Sequence, residues 1–98
     1  MKHVAVEQFW KRYEMLPVVV QKLVDSNFSI IKQYPNHPLL RLLKVGKIIS
    51  MRVGSRVRAL AYEDGETIIW FWVGTYRQYK ILIENSKKHF SKGVRHPG

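Results

Sequence analysis

Asp64-Gly65 falls between two β-prone runs, RVRALAYE and TIIWFWV, and suits a type I′ turn, in which both central residues take positive φ. Residues 55 to 73 therefore read as a β-hairpin. Ahead of that turn, Arg52, Arg56 and Arg58 occupy even positions, while Met51, Val53, Val57, Ala59 and Ala61 occupy odd ones. That is the period of two expected when one face of a strand pair is buried, and it puts the three arginines on the other face. The second arm, Thr67 to Val73, is apolar or aromatic at nearly every position, so it belongs at the centre of a sheet or under a covering layer. Strict alternation places Trp70 and Trp72 on one face of this arm and Phe71 on the other.

The rest of the chain supplies that layer. Val6, Phe9, Trp10, Tyr13 and Leu16 recur at helical spacing and predict an amphipathic helix over residues 4 to 16, stopped by Pro17. Pro17 also suits the first turn of a second helix, whose stripe is Val20, Leu23, Val24, Asn27, Ile31 and Tyr34, closed by Pro35 and Pro38. Leu39 to Val45 and Lys47 to Val53 are extended candidates separated by Gly46, a second hairpin. Thr75 and Gln78 fit a capping box that opens a third helix, with Tyr79, Leu82 and Ile83 on its apolar side. The expected fold is α+β: an N-terminal helical hairpin packed on a four-stranded, mostly antiparallel sheet, with a short C-terminal helix. Residues 1–85 form the single domain, and the basic segment 86–98 is expected to be a frayed or flexible tail.

Charge narrows the partners. Seventeen Lys and Arg against seven Asp and Glu give +10, which favours a polyanion or an acidic protein. No apolar run approaches the ~20 residues of a membrane helix, and MKHVAVEQFW lacks the pattern of a signal peptide, so a cytoplasmic protein without membrane association is expected. The absence of cysteine removes disulfides, thiolate metal sites and a cysteine nucleophile. The four histidines, His3, His37, His89 and His96, show no metal-ligand spacing, and neither a metal nor a cofactor is expected.

The order of elements, and the words FWKRYEMLP, YPNHPLLRLLKV and SMRVGSRVRALAYEDGETIIWFWVGTYRQYKILI, resemble the RelE/ParE toxin superfamily of type II toxin-antitoxin systems, in a branch of cytotoxic translational repressors. The resemblance runs over about residues 6 to 84. It implies a basic groove on the sheet beneath the helices, where messenger RNA is cut at the ribosome without a metal, and a small acidic antitoxin as partner. Cleavage by a neighbouring 2′-hydroxyl needs a base, an acid and cations on the phosphate.

On that resemblance Arg58 matches the strand arginine held against the scissile phosphate, where a planar guanidinium donates two parallel hydrogen bonds. Arg52, Arg56, Lys44, Arg77 and Lys80 would track the RNA backbone. Gly74-Thr75-Tyr76 stands where relatives commonly carry a GTH step, so tyrosine replaces a histidine that serves some members as acid or base. Tyr76 or Tyr79 would act as the acid or stack on a base, although Tyr79 also has the spacing of a core residue. The alternative is a non-nuclease member, a ParE-like gyrase inhibitor or a decayed toxin that only binds antitoxin or RNA.

Overall fold

The structure, a computed structural model, describes residues 2–37 and 40–94, with residues 86–94 as backbone alone. Among the described residues five strands and three helices follow in the order β1 (Lys2–Ala5), α1 (Glu7–Glu14), α2 (Val18–Gln33), β2 (Leu43–Val45), β3 (Ile48–Val53), β4 (Val57–Asp64), β5 (Thr67–Thr75) and α3 (Tyr76–Val94). The strands form one sheet in the order β1-β5-β4-β3-β2, antiparallel except that β1 runs parallel to β5.

β1 corrects the expected strand count of four. The sequence pattern predicts a helix from residue 4 and no strand before it, but the Lys2 N–H donates to Glu66 O at 3.0 Å and the Val6 N–H to Trp70 O at 3.1 Å. Edge pairing along β5 outweighs the helical period, whose first apolar member, Val6, immediately precedes α1. In the second extended candidate pair, only Leu43–Val45 pairs with β3; Pro38 and Leu39 lie outside the described residues.

Pro17 acts as expected, ending one helix and preceding the next, and its carbonyl accepts the Gln21 N–H at 2.9 Å. The Gln21 side-chain amide turns back to the Tyr13 and Leu16 carbonyls at 3.0 and 3.2 Å, tying the start of α2 to the end of α1. The two helices cover one face of the sheet. Phe9, Val24 and Ile31 meet Ile49, Met51, Val53, Val57, Ala59, Ala61, Ile68, Trp70 and Val73 there in one buried cluster.

All three hairpin turns begin with a glycine at positive φ: Gly46 at 61°, Gly54 at 66° and Gly65 at 61°. Asp64 pairs with Thr67, so the β4–β5 loop is Gly65-Glu66, not Asp64-Gly65. Only its first residue has positive φ, the sign pattern of a type II′ turn, which asks for glycine at that first position. The expected hairpin forms, with its turn displaced by one residue.

α3 begins as its capping box requires. The Gln78 N–H donates to Thr75 Oγ1 at 3.1 Å, and the Thr75 N–H donates to Gln78 Oε1 at 2.9 Å. The helix then runs to Val94, so it is longer than the short helix expected and takes in nine residues of the segment read as a tail.

Candidate functional site

A bulge in β5 decides what faces the open side of the sheet. The register slips between Leu60 and Ala61: Leu60 pairs with Trp72 while Ala61 pairs with Trp70, leaving Phe71 as the extra residue. Trp70 therefore points to the helices, with its ring 4.9 Å from that of Phe28, while Trp72 points the other way, 6.5 Å from Tyr79. The expectation that the two tryptophans share a face fails because one inserted residue reverses the alternation after it.

On the open face Arg52 of β3 and Arg58 of β4 are directly paired. They project from the side opposite α1 and α2, so the basic surface is not beneath those helices. Tyr76, the first residue of α3, lies over Arg58 with its ring centroid 4.5 Å from the guanidinium carbon. Tyr79 stacks beside Tyr76 at 6.1 Å, and the Lys80 ammonium stands 5.6 Å from the Tyr76 ring. Three groups singled out in the sequence as chemical candidates, Arg58, Tyr76 and Tyr79, thus meet, with Arg52 and Lys80 beside them.

Arg58 is held in place by the chain around it. Its Nη1 donates to the carbonyl of Val57 at 2.8 Å and reaches those of Gly54 and Ser55 at 3.4 Å. Arg52 Nε donates to the same Gly54 carbonyl at 3.1 Å. Burial first, and then the charge of Arg52, lower the Arg58 pKa, while Tyr76 and Tyr79 pull it up. An anion between the two guanidinium groups would relieve their repulsion, and the tyrosine rings supply faces on which a base can stack.

The remaining candidates lie elsewhere. Arg56 is not on a strand but exposed in the turn between β3 and β4; its carbonyl accepts the Tyr76 N–H at 2.6 Å, tying that turn to the start of α3. Arg77 is exposed in the first turn of α3. Lys44 pairs across strands with buried Ile49, which puts it on the helix side, and its ammonium forms a 2.9 Å ion pair with Glu63. His37 sits in a backbone turn, donating its N–H to Tyr34 O at 3.0 Å.

Arg12 is not a member of the apolar stripe that predicts the first helix, and its place in the pattern assigns it to solvent. Instead its Nε donates to the Val73 carbonyl at 2.8 Å, beyond the point where β1 stops covering β5. The guanidinium lies 4.7 Å from the Trp72 ring, and Nη2 reaches Gln78 Oε1 at 3.3 Å. One arginine so joins α1, the free edge of β5 and the first turn of α3, which carries Tyr76. Sequence spacing held no signal for it, since the acceptor is exposed only because β1 is short.

Among the described residues no group of three or more His, Asp or Glu is placed to hold a metal ion, and no helix is long and apolar enough to cross a membrane.

No protein-family model matches the chain, and no curated protein matches its sequence. Solved structures do resemble it. The YoeB/ParE toxin from Agrobacterium tumefaciens is 15% identical with a TM-score of 0.61, the match covering 78% of this chain and 99% of that one. The RelB-RelE antitoxin-toxin complex from Methanococcus jannaschii matches at 19% identity and a TM-score of 0.63, over 81% of this chain and 96% of the other. The isolated E. coli RelE toxin matches at 13% identity and a TM-score of 0.59, over 86% and 96%.

Proposed function

We infer, from a chain that has the fold of the RelE/ParE toxin superfamily, that this protein is the toxin of a type II toxin-antitoxin pair and represses translation by cutting messenger RNA at the ribosome. The observation that carries this reading is the opposed pair Arg52 and Arg58 on the open sheet face, with Tyr76 stacked on Arg58 from α3. Two guanidinium groups and an aromatic platform at one place match a phosphate flanked by a base. The +10 charge supports an RNA substrate and an acidic antitoxin as the inhibitor.

In the reaction a ribose 2′-hydroxyl passes its proton to solvent water as its oxygen bonds to the adjacent phosphorus. The bond from phosphorus to the 5′-oxygen breaks, and that oxygen takes up a proton, giving a cyclic 2′,3′-phosphate and a 5′-hydroxyl. Arg58 and Arg52 hold the phosphoryl oxygens as charge builds on them. The phenol of Tyr76 or Tyr79 donates the proton to the leaving oxygen. Arg56, Arg77 and Lys80 hold the RNA backbone on either side.

Primer extension on cellular mRNAs after brief expression of the protein and of Arg58→Ala tests this. New 5′ ends are expected with the wild type only; ends that persist in Arg58→Ala would remove Arg58 from the chemistry.

One observation favours a second reading, a binder that does not cut. Among the described residues the groups acting electrostatically on Arg58 are Arg52, Tyr76 and Tyr79, a set without a carboxylate or histidine to accept the 2′-hydroxyl proton. A gyrase-inhibiting or decayed toxin fits that composition. Supercoiling by purified gyrase in the presence of excess protein separates the gyrase form, since unchanged supercoiling eliminates it.

A further inference from the structure

The side of the fold away from the arginines carries a recess of about 280 Å³ between α2 and the β1–α1 segment. Its walls are aromatic: Phe9 and Trp10 of α1, Phe28 of α2 and Trp70 of β5. Along α2, Asp25, Ser29 and Lys32 border it in one stripe of about 10 Å, given the rise of a helix. Asp25 is already engaged, accepting the Tyr13 hydroxyl at 2.8 Å.

At the other end His3 Nδ1 accepts the Trp70 indole N–H at 3.1 Å. The indole nitrogen can only donate, so Nδ1 is bare and Nε2 carries the proton. Burial, then the Lys32 and N-terminal charges, hold the His3 pKa below its ordinary value, which favours this neutral donor form. Among the described residues no ion pair engages Lys32, which stands at this end, and Lys2 lies next to His3 in the chain.

The recess adjoins an open sheet edge. Lys2 and Val6 send their N–H groups to β5, and the alternation of a parallel pair sends those of Val4 the same way. His3 and Ala5 therefore turn their backbone groups outward. Among the described residues no strand lies beyond β1, and β1 contains neither a proline nor a bulge to blunt its edge.

We propose that an extended segment of a partner polypeptide, acidic with an aromatic side chain, adds to the sheet along β1, pairing with His3 and Ala5 and seating its aromatic ring in this recess. Backbone pairing at a free edge supplies affinity, and the pocket beneath alternate residues supplies selectivity. The segment is acidic because the chain carries +10 and the carboxylate bordering the recess is taken up by Tyr13. The same charge works against a second copy of this chain as the occupant. The proposal rests on the toxin reading only for the existence of a polypeptide partner.

The probe is a dye-labelled peptide of alternating Glu and Val with one central Phe, titrated by fluorescence anisotropy into the full chain. Controls are the same peptide N-methylated at alternate amides and the same peptide with Lys for Glu. Micromolar binding is expected, weakened at least tenfold by N-methylation, by Lys replacement, and by Lys32→Glu or Trp10→Ala. Both of those positions are exposed, Trp10 at 48%, so the variants keep the fold. Arg58→Ala is expected to leave the peptide affinity unchanged. Absence of binding at about 1 mM, binding indifferent to N-methylation, or loss with Arg58→Ala equal to that with Lys32→Glu overturns the proposal. Messenger RNA cleavage is read separately, so failure of the nuclease reading and failure of this one are distinguishable.

Discussion

Arg52 and Arg58 face each other directly across β3 and β4, and both reach the same acceptor, the Gly54 carbonyl, at 3.1 and 3.4 Å. Like charges directly opposite on a sheet are destabilising, so this pair costs the fold stability where the proposed site gains a phosphate grip. Arg52→Thr is expected to raise stability by about 0.5 kcal/mol, since threonine is also a better strand residue. The same change should weaken RNA binding and flatten its salt dependence by about one unit of slope. Thermal unfolding at low and high salt checks the first half: the gain should shrink as salt screens the pair.

The turn that holds both arginines should be intolerant of a side chain. Gly54 has a φ of 66°, and a Cβ there would come within 2.9 Å of Leu23 Cδ2. Gly65 has a φ of 61° but open space around its Cβ position. Gly65→Ala should cost about 1 kcal/mol from backbone strain alone, and Gly54→Ala about 2 kcal/mol or more because Leu23 must also move. Urea midpoints with unchanged slopes would report the difference.

Much of this could be read from residue order. The helix break at Pro17 and the capping box of Thr75 and Gln78 depend on local chemistry, which a sequence carries, whereas Arg58, Tyr76 and Tyr79, which meet in the fold, were marked out by the family resemblance. What escaped has a shared cause. Phe71 is an inserted residue in a continuous apolar run, and such a run has no polar positions to mark a change of face. β1 is four residues stabilised by a partner more than sixty positions away, and Arg12 finds its carbonyl only where that strand ends. Lys44 lies off the arginine face because its pairing with Ile49, across the Gly46 turn, sets its side of the sheet.

Asn27 connects the helices to the site from within. It is 8% exposed, and its side-chain amide donates to the Arg52 carbonyl at 2.9 Å. Asn27→Ala would leave that carbonyl without this donor in a buried setting, at a cost of about 1–3 kcal/mol. A shift of the Arg52 backbone amide in NMR spectra of the variant, larger than that of distant β1 amides, would tie the loss to this bond.

His3 should make stability depend on pH. Its folded-state pKa lies below its unfolded value, so the unfolded chain binds more protons in the window between them, and stability rises with pH there. The contribution is complete above about pH 6.5 and is lost as pH falls through the folded value. Below that window the ring is charged at both nitrogens, and Nδ1 can no longer accept the Trp70 N–H. His3→Gln keeps an acceptor without the titration, so its melting temperature should change less than that of the wild type between about pH 7.5 and about pH 5. Equal slopes in both proteins would assign the acid sensitivity to other groups.

Tyr76 separates chemistry from binding. Its ring stacks on Arg58 whether or not it carries a hydroxyl, so Tyr76→Phe should retain RNA affinity. If the phenol protonates the leaving oxygen, single-turnover cleavage should fall by about 100-fold or more, the usual weight of a general acid. Tyr76→His places a group that titrates near ~6.5 beside Arg58, and rate against pH should then turn over near neutrality. Full cleavage by Tyr76→Phe would transfer the role to Tyr79, 6.1 Å away, and the double change to Phe would then abolish it. Cleavage absent from the wild type and present in Tyr76→His would be the more informative result. It would mean that the phosphate grip of Arg52 and Arg58 is intact and that the missing element is a proton acceptor, which is the second reading of the site in its strongest form.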